Sequence, residues 1–191
     1  MNLNLVFTYK SNFMLNIKTI LIYILLLPLI GIFFLITIKS SNKLLLKSVT
    51  LFISCLTFIL SLFLWVFFDN SIGNFQFVNK LFWIPFLNFN FIIGIDGVSL
   101  FFLILTTLLI FLCLLVSWNS VTFNIKEYLI LFLIMEFFLI NVFCILDLLL
   151  FYIFFESVLI PMFLIIGFWG SRERKIRASY FFFFILYLDL F

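Results

Sequence analysis

Between Tyr128 and Gly170 the chain is apolar over about twice the roughly 20 residues that a helix needs to cross a 30 Å hydrocarbon core. A run of that length has to fold back once. Its midpoint falls near Asp147, which divides it into spans at Tyr128–Leu146 and Leu148–Trp169 with a very short connection. Three further runs fit one crossing each: Thr19–Ile38, with Pro28 near its middle, Ser48–Phe68, and Val98–Ser117. Lys39, Lys43 and Lys47 stop the first, Asp69 and Asn70 the second, Trp118 and Asn119 the third.

Composition leaves no room for a soluble alternative. Hydrophobic residues make up 67% of the 191 residues and charged ones 10%, against about 25% charged in water-soluble domains. The predicted fold is therefore all-α, a polytopic transmembrane bundle of five complete spans. A sixth starts at Ile176, but by Phe191 it would cover only about 24 Å at 1.5 Å per residue. The organisation reads as an N-terminal segment (1–18), helices 1 and 2 (19–68), an extramembrane connection (69–97), and helices 3 to 5 with the start of a sixth (98–191). Within the connection, the aromatic stretch around Trp83 suits the membrane interface.

Several functions are disfavoured by residue type. Histidine is absent, which removes the usual haem axial ligands and most zinc or copper sites. Cys55, Cys113 and Cys144 each sit in an apolar run without CxxC spacing and read as packing residues. No Gly-rich phosphate loop occurs. The expectation is a chain with no cofactor, no metal and no redox centre. The one basic cluster, Arg172, Arg174, Lys175 and Arg177, reads as a solvated loop on the positive side of a membrane rather than a nucleic-acid site. With Lys39, Lys43, Lys47 and Lys126 it outweighs Lys10, Lys18 and Lys80 on the other side. That places the N-terminus outside. The bias toward Phe, Leu, Ile and Asn suggests an A/T-rich organellar gene, and Met1–Lys18 lacks the Arg-rich pattern of a transit peptide.

Most acidic residues fall at helix ends; Glu136 and Glu156 do not. They lie about 16 Å and 14 Å along antiparallel helices from the Asp147 fold-back, at similar depth near the bilayer middle. An acid there costs about 2.5 kcal/mol or more, so it commonly marks a functional pathway. Pro161 has no N–H for the carbonyl of Ser157, so a polar group opens beside Glu156, and Ser157 adds a hydroxyl on the same turn. Both carboxyls are candidate proton relays. Glu136 also reads as a neutral acid hydrogen-bonded to a neighbouring helix. Asp147 reads as a cap, and Asp96, in Gly94-Ile95-Asp96-Gly97, marks the turn before the third helix.

The stretch Phe151-Tyr152-Ile153-Phe154-Phe155-Glu156-Ser157-Val158-Leu159-Ile160-Pro161-Met162-Phe163, continuing to Trp169-Gly170-Ser171-Arg172, closely resembles the subunit 4 family of mitochondrial NADH:ubiquinone oxidoreductase, respiratory complex I. Gly94-Ile95-Asp96-Gly97-Val98-Ser99-Leu100-Phe101-Phe102, Lys126-Glu127-Tyr128 and Asp147-Leu148-Leu149-Leu150-Phe151-Tyr152 fit the same pattern, so the likeness covers roughly 91–180. It implies an antiporter-like membrane-arm subunit of the inner mitochondrial membrane. Such a subunit carries protons driven by quinone reduction, has no redox cofactor of its own, and packs beside other membrane-arm subunits and lipid. Glu156 matches the family's relay glutamate, which pairs with a lysine on a later helix. That lysine lies beyond the point where this chain stops. The expectation is an N-terminal portion of a split or truncated subunit, with a second chain supplying the remaining helices and docking on the sixth. The alternative is a non-pumping structural or assembly protein. An ATP synthase a-type channel would need an arginine inside a span, and a cytochrome b would need histidines there.

Overall fold

The computed structural model describes residues 3–71, 73–84, 89–170, 181 and 184. Five helices dominate: α1 (Leu3–Thr37), α2 (Lys43–Phe67), α3 (Gly97–Ser120), α4 (Ile125–Cys144) and α5 (Leu148–Trp169). Each contains a stretch long and apolar enough to cross a membrane, that of α1 being Thr19–Thr37. The chain is a multi-pass membrane protein. The basic loop Arg172–Arg177 lies outside the described residues. So does the sixth span, of which only Phe181 and Phe184 are described, both helical.

Two features differ from the sequence reading. The α1 backbone is helical from Leu3 rather than from Thr19; Leu3–Lys18 contains no Gly or Pro to break it. The second is a two-stranded antiparallel hairpin, β1 (Gln76–Ile84) and β2 (Phe89–Ile95), within the long connection. Gln76 pairs with Ile95 and Leu81 with Phe91, with two register shifts. The hairpin extends to the α4–α5 turn, where Ile145 bridges Ile93 and the Leu146 N–H donates to the Ile92 carbonyl at 3.0 Å. A Cβ on Gly94 would lie 3.0 Å from Leu146 Cδ1 and 3.2 Å from Val78 Cγ2, so glycine permits this close approach.

α4 is the hub, packing against α1, α2, α3 and α5, whereas α5 packs mainly on α4. In lipid there is little hydrophobic drive between helices, so close van der Waals fit and small residues hold them together. Gly31 is such a residue: a Cβ there would meet Ile53 Cδ1 at 2.8 Å and Leu133 Cδ1 at 2.9 Å, where α1 touches α2 and α4.

The buried side chains fall into two apolar clusters, one toward each membrane face. The hairpin-side cluster holds Leu21, Ile24, Leu64, Ile93, Leu103 and Ile140. The opposite one holds Leu35, Ile53, Ile110, Leu129, Phe132 and Leu133. Between them, at the level of Thr57, Thr107 and Glu136, the packing turns polar.

Helix ends are tied by side chains. Asp96 caps α3, its carboxylate accepting from Ser99 N at 2.7 Å while Ser99 Oγ accepts from Asp96 N at 2.9 Å. Asp147 caps α5 by accepting from Leu149 N and Leu150 N, so the fold-back falls where the sequence puts it. At the other membrane face, Lys126 Nζ donates to the carbonyls of Ile36 and Ile38, each at 2.8 Å, at the end of α1. Lys47 Nζ donates to the Trp118 and Val121 carbonyls at the end of α3.

Candidate functional site: carboxyls at mid-membrane

Glu136 and Glu156 are each eight residues from the α4–α5 turn, Glu136 before Cys144 and Glu156 after Leu148. At 1.5 Å per residue both lie about 12 Å into the membrane from that end. Their surroundings differ completely.

Glu136 is 1% exposed. Thr57 Oγ1 on α2 lies 2.5 Å from its Oε1, and Oε2 has no hydrogen-bond partner. Thr57 belongs to a fully buried stripe on α2, Thr50, Ser54, Thr57 and Ser61, whose spacing keeps one helix face toward the bundle. Ser61 Oγ lies 3.0 Å from Thr107 Oγ1 on α3. Sequence reasoning missed this stripe. The signal was present: hydroxyls at i, i+4, i+7 and i+11 inside an otherwise apolar span.

Glu156 stands elsewhere. Leu150, Phe154, Val158 and Pro161 turn α5 toward the bundle, with Phe154 packed on Phe91, Phe137 and Phe138. On a 3.6-residue helix Glu156 projects nearly opposite that face, among the exposed Leu149, Tyr152, Ile153 and Ile160. It is half-buried, and no described residue bonds or pairs with it. The structure thus does not bring the two glutamates together on one face. Ser157 Oγ donates to the Ile153 carbonyl at 2.7 Å. Pro161 is buried within α5, where it withholds a backbone donor from the Ser157 carbonyl. The proline-opened carbonyl and the Glu156 carboxyl therefore lie within one turn of each other.

Outside the spans, the backbone and side-chain hydrogen bonds of Ser99 hold the Asp96 carboxyl below the usual range. Those of the Ser71 side chain and backbone do the same for Asp69. Among the described residues no cluster of three or more His, Cys, Asp or Glu side chains is grouped as a metal site would require.

A bundle of apolar helices with mid-membrane carboxyls fits an antiporter-like membrane subunit. In agreement, a family model described as "NADH:quinone oxidoreductase/Mrp antiporter, TM" matches residues 145–189. NADH-ubiquinone oxidoreductase chain 4 of Chondrus crispus is 61% identical over 158 residues, covering 83% of this chain and 32% of that protein. The chain 4 of Marchantia polymorpha is 56% identical over 160 residues, covering 84% of this chain and 32% of its own length. Among solved structures, a chain of respiratory complex I from Thermus thermophilus with bound NADH superposes with a TM-score of 0.64 at 28% identity, covering 82% of this chain and 31% of that one. The chain belongs to the NADH-ubiquinone oxidoreductase chain 4 family, and it spans about a third of the length of the relatives it matches.

Proposed function

We propose that this chain forms part of the membrane arm of respiratory complex I in the mitochondrial inner membrane. There it relays protons through Glu156, with Glu136 as a second carboxyl, as electrons pass from NADH to ubiquinone. The observation that carries the reading is Glu156 itself, an acid at mid-membrane on the outward face of α5, beside a proline-opened carbonyl. An acid left in hydrocarbon costs about 2.5–3.5 kcal/mol, so that face calls for a polar partner beyond the described residues. A cation suits it, because a moving positive charge changes the carboxyl's hold on its proton. The described spans offer none: Lys43, Lys47 and Lys126 sit in end turns, and the Thr19–Thr37 span and α3 contain no Lys or Arg.

The lysine implied by the family resemblance is not in the described spans, and the split-subunit reading assigns it to a second chain. Mass spectrometry of the purified complex tests that assignment. A separate polypeptide bearing the later helices is expected, and its absence would contradict the split.

Replacing Glu156 by Gln keeps size and hydrogen bonding but removes the titrating group. In an assembled complex, the rate of proton transport is expected to fall by about tenfold or more, in line with loss of a positioned proton-transfer group. Normal pumping with normal NADH oxidation would leave this chain as a structural scaffold.

A further inference from the structure

The buried hydroxyls around Glu136 share one habit. Thr50 Oγ1 donates to Leu46 O at 2.8 Å, Ser54 Oγ to Leu51 O at 3.1 Å, and Ser61 Oγ to Phe58 O at 2.7 Å. Thr107 Oγ1 likewise reaches Ile104 O at 3.0 Å. Each gives its proton back to its own helix, as Ser and Thr commonly do mid-helix, and turns acceptor lone pairs toward the bundle. Thr57 Oγ1 has the same contact, 2.8 Å from Ser54 O, and in addition touches Glu136 Oε1. A hydroxyl carries one proton. If Thr57 spends it on Ser54 O, the proton between Thr57 and Glu136 must come from the carboxylic acid. If Thr57 spends it on a carboxylate, the Ser54 contact is given up.

The surroundings favour the first arrangement. Among the described residues no cation faces Glu136 at its depth. The Thr19–Thr37 span and α3 carry no charged side chain; α2 has only Lys43 and Lys47, near its first turn. α4 itself has Lys126 and Glu127 at its start, and α5 has only Glu156, on its outward face. The other titratable groups on these elements are Tyr23, Cys55, Cys113, Tyr128, Cys144 and Tyr152. A carboxylate buried without a cation is expensive, whereas a neutral acid with one hydrogen bond is not. Apolar clusters close the layer above and below, yet Oε2 remains unpartnered at under 1 Å² of exposed surface. An oxygen so placed calls for a small polar ligand.

We propose that Glu136 is a second proton-holding site, separate from Glu156: a neutral carboxylic acid bonded to Thr57 Oγ1, which exchanges its proton with water at Oε2. On release, the carboxyl turns about its Cγ–Cδ bond to bring its O–H to that water, the O–H bond breaks, and the proton passes to the water, leaving a carboxylate. The Thr57 hydroxyl then swings from Ser54 O to that carboxylate, so every proton is accounted for. This deepens the relay reading for Glu136 by naming its hydroxyl partner and its ligand.

Infrared difference spectroscopy of the assembled complex tests it. A protonated-carboxyl band is expected that disappears in Glu136→Gln, shifts toward a less hydrogen-bonded acid in Thr57→Val, and returns to place in Thr57→Ser. In the native complex the same band should shift in D2O. Three results would overturn the proposal. They are a band that survives Glu136→Gln; a band that ignores D2O, which marks a sealed structural acid; and replacement of the band by a carboxylate band on adding sodium, which marks a cation site. If Glu136→Gln does not assemble, the Thr57 pair decides alone, with an unshifted band in Thr57→Val counting against the hydroxyl partner. None of these readouts depends on pumping, so the Glu156 reading can fail while this one stands.

Discussion

Asp96 shows how much one polar residue sets at a membrane surface. Its carboxylate and the Ser99 hydroxyl satisfy each other's backbone N–H groups, so α3 starts at a fixed point beneath the hairpin. Because those bonds hold the Asp96 carboxyl below its ordinary value of 3.8, the sign of the pH effect is fixed. The cap's contribution is complete above the unfolded-state value and is lost as pH falls through the lower folded-state value. Amide exchange at Ser99 and Leu100 should therefore stay slow at neutral pH and accelerate in acid below about pH 4. Asp96→Asn should retain slow exchange without the acid dependence. Asp96→Ala should destabilise the start of α3 at every pH, by about 1 kcal/mol. An acid dependence that persists in Asp96→Asn would assign the effect to another group.

At the scale of elements, the lysines of the loop-side face act as caps as well as topology signals. Lys126 spans from the first turn of α4 to the last carbonyls of α1, where the helix dipole and two orphan oxygens both favour a cation. Lys126→Met keeps the aliphatic stem and removes the donor. It is expected to cost about 1.5–3 kcal/mol, the usual worth of a hydrogen bond to a charged group, read as a lower unfolding temperature of the subunit in lipid. Lys126→Arg should recover most of that loss. Unchanged stability in Lys126→Met would mean that water caps α1 equally well. The sequence revealed where helices cross, because roughly 20 apolar residues bounded by Lys39, Asp69, Trp118 or Asp147 leave little choice. It was less informative where hydropathy averages out. The aromatic and β-branched runs flanking Pro85 carried a strand signal, but their Asn and Gly neighbours made them read as an irregular connection. Thr57 and Ser61 were hidden likewise, since a hydroxyl that bonds its own helix barely dents an apolar span. Glu136 and Glu156 stood out in the sequence, whereas their opposite exposures depend on which faces of α4 and α5 pack, which spacing alone did not settle.

For the whole molecule, side-to-side order is internally fixed. The hairpin, the Asp96 cap and the Asp147 turn share one membrane face, linked by the Ile93–Ile145 bridge and the Leu146-to-Ile92 hydrogen bond. The other face gathers Lys47, Lys126, the loop at Lys39 and the Trp169 Nε1 bond to the Phe123 carbonyl at 2.8 Å. Which face meets which compartment is a proposal from charge: the positive-inside rule would put the lysine-rich face on the matrix side and the hairpin on the outer side. The native cysteines, Cys55, Cys113 and Cys144, all lie within spans, so single introduced thiols can report position against a low background. Gly73 is open, with nothing within 4 Å of an added Cβ, and Ser41 is exposed in the α1–α2 turn. In intact mitoplasts a membrane-impermeant maleimide should label Gly73→Cys and leave Ser41→Cys unlabelled until the membrane is opened. The converse pattern would invert the molecule. It would then place the Lys126 and Lys47 caps toward the intermembrane space, while the carboxyls at 136 and 156, being near the middle, would keep their depth in either case.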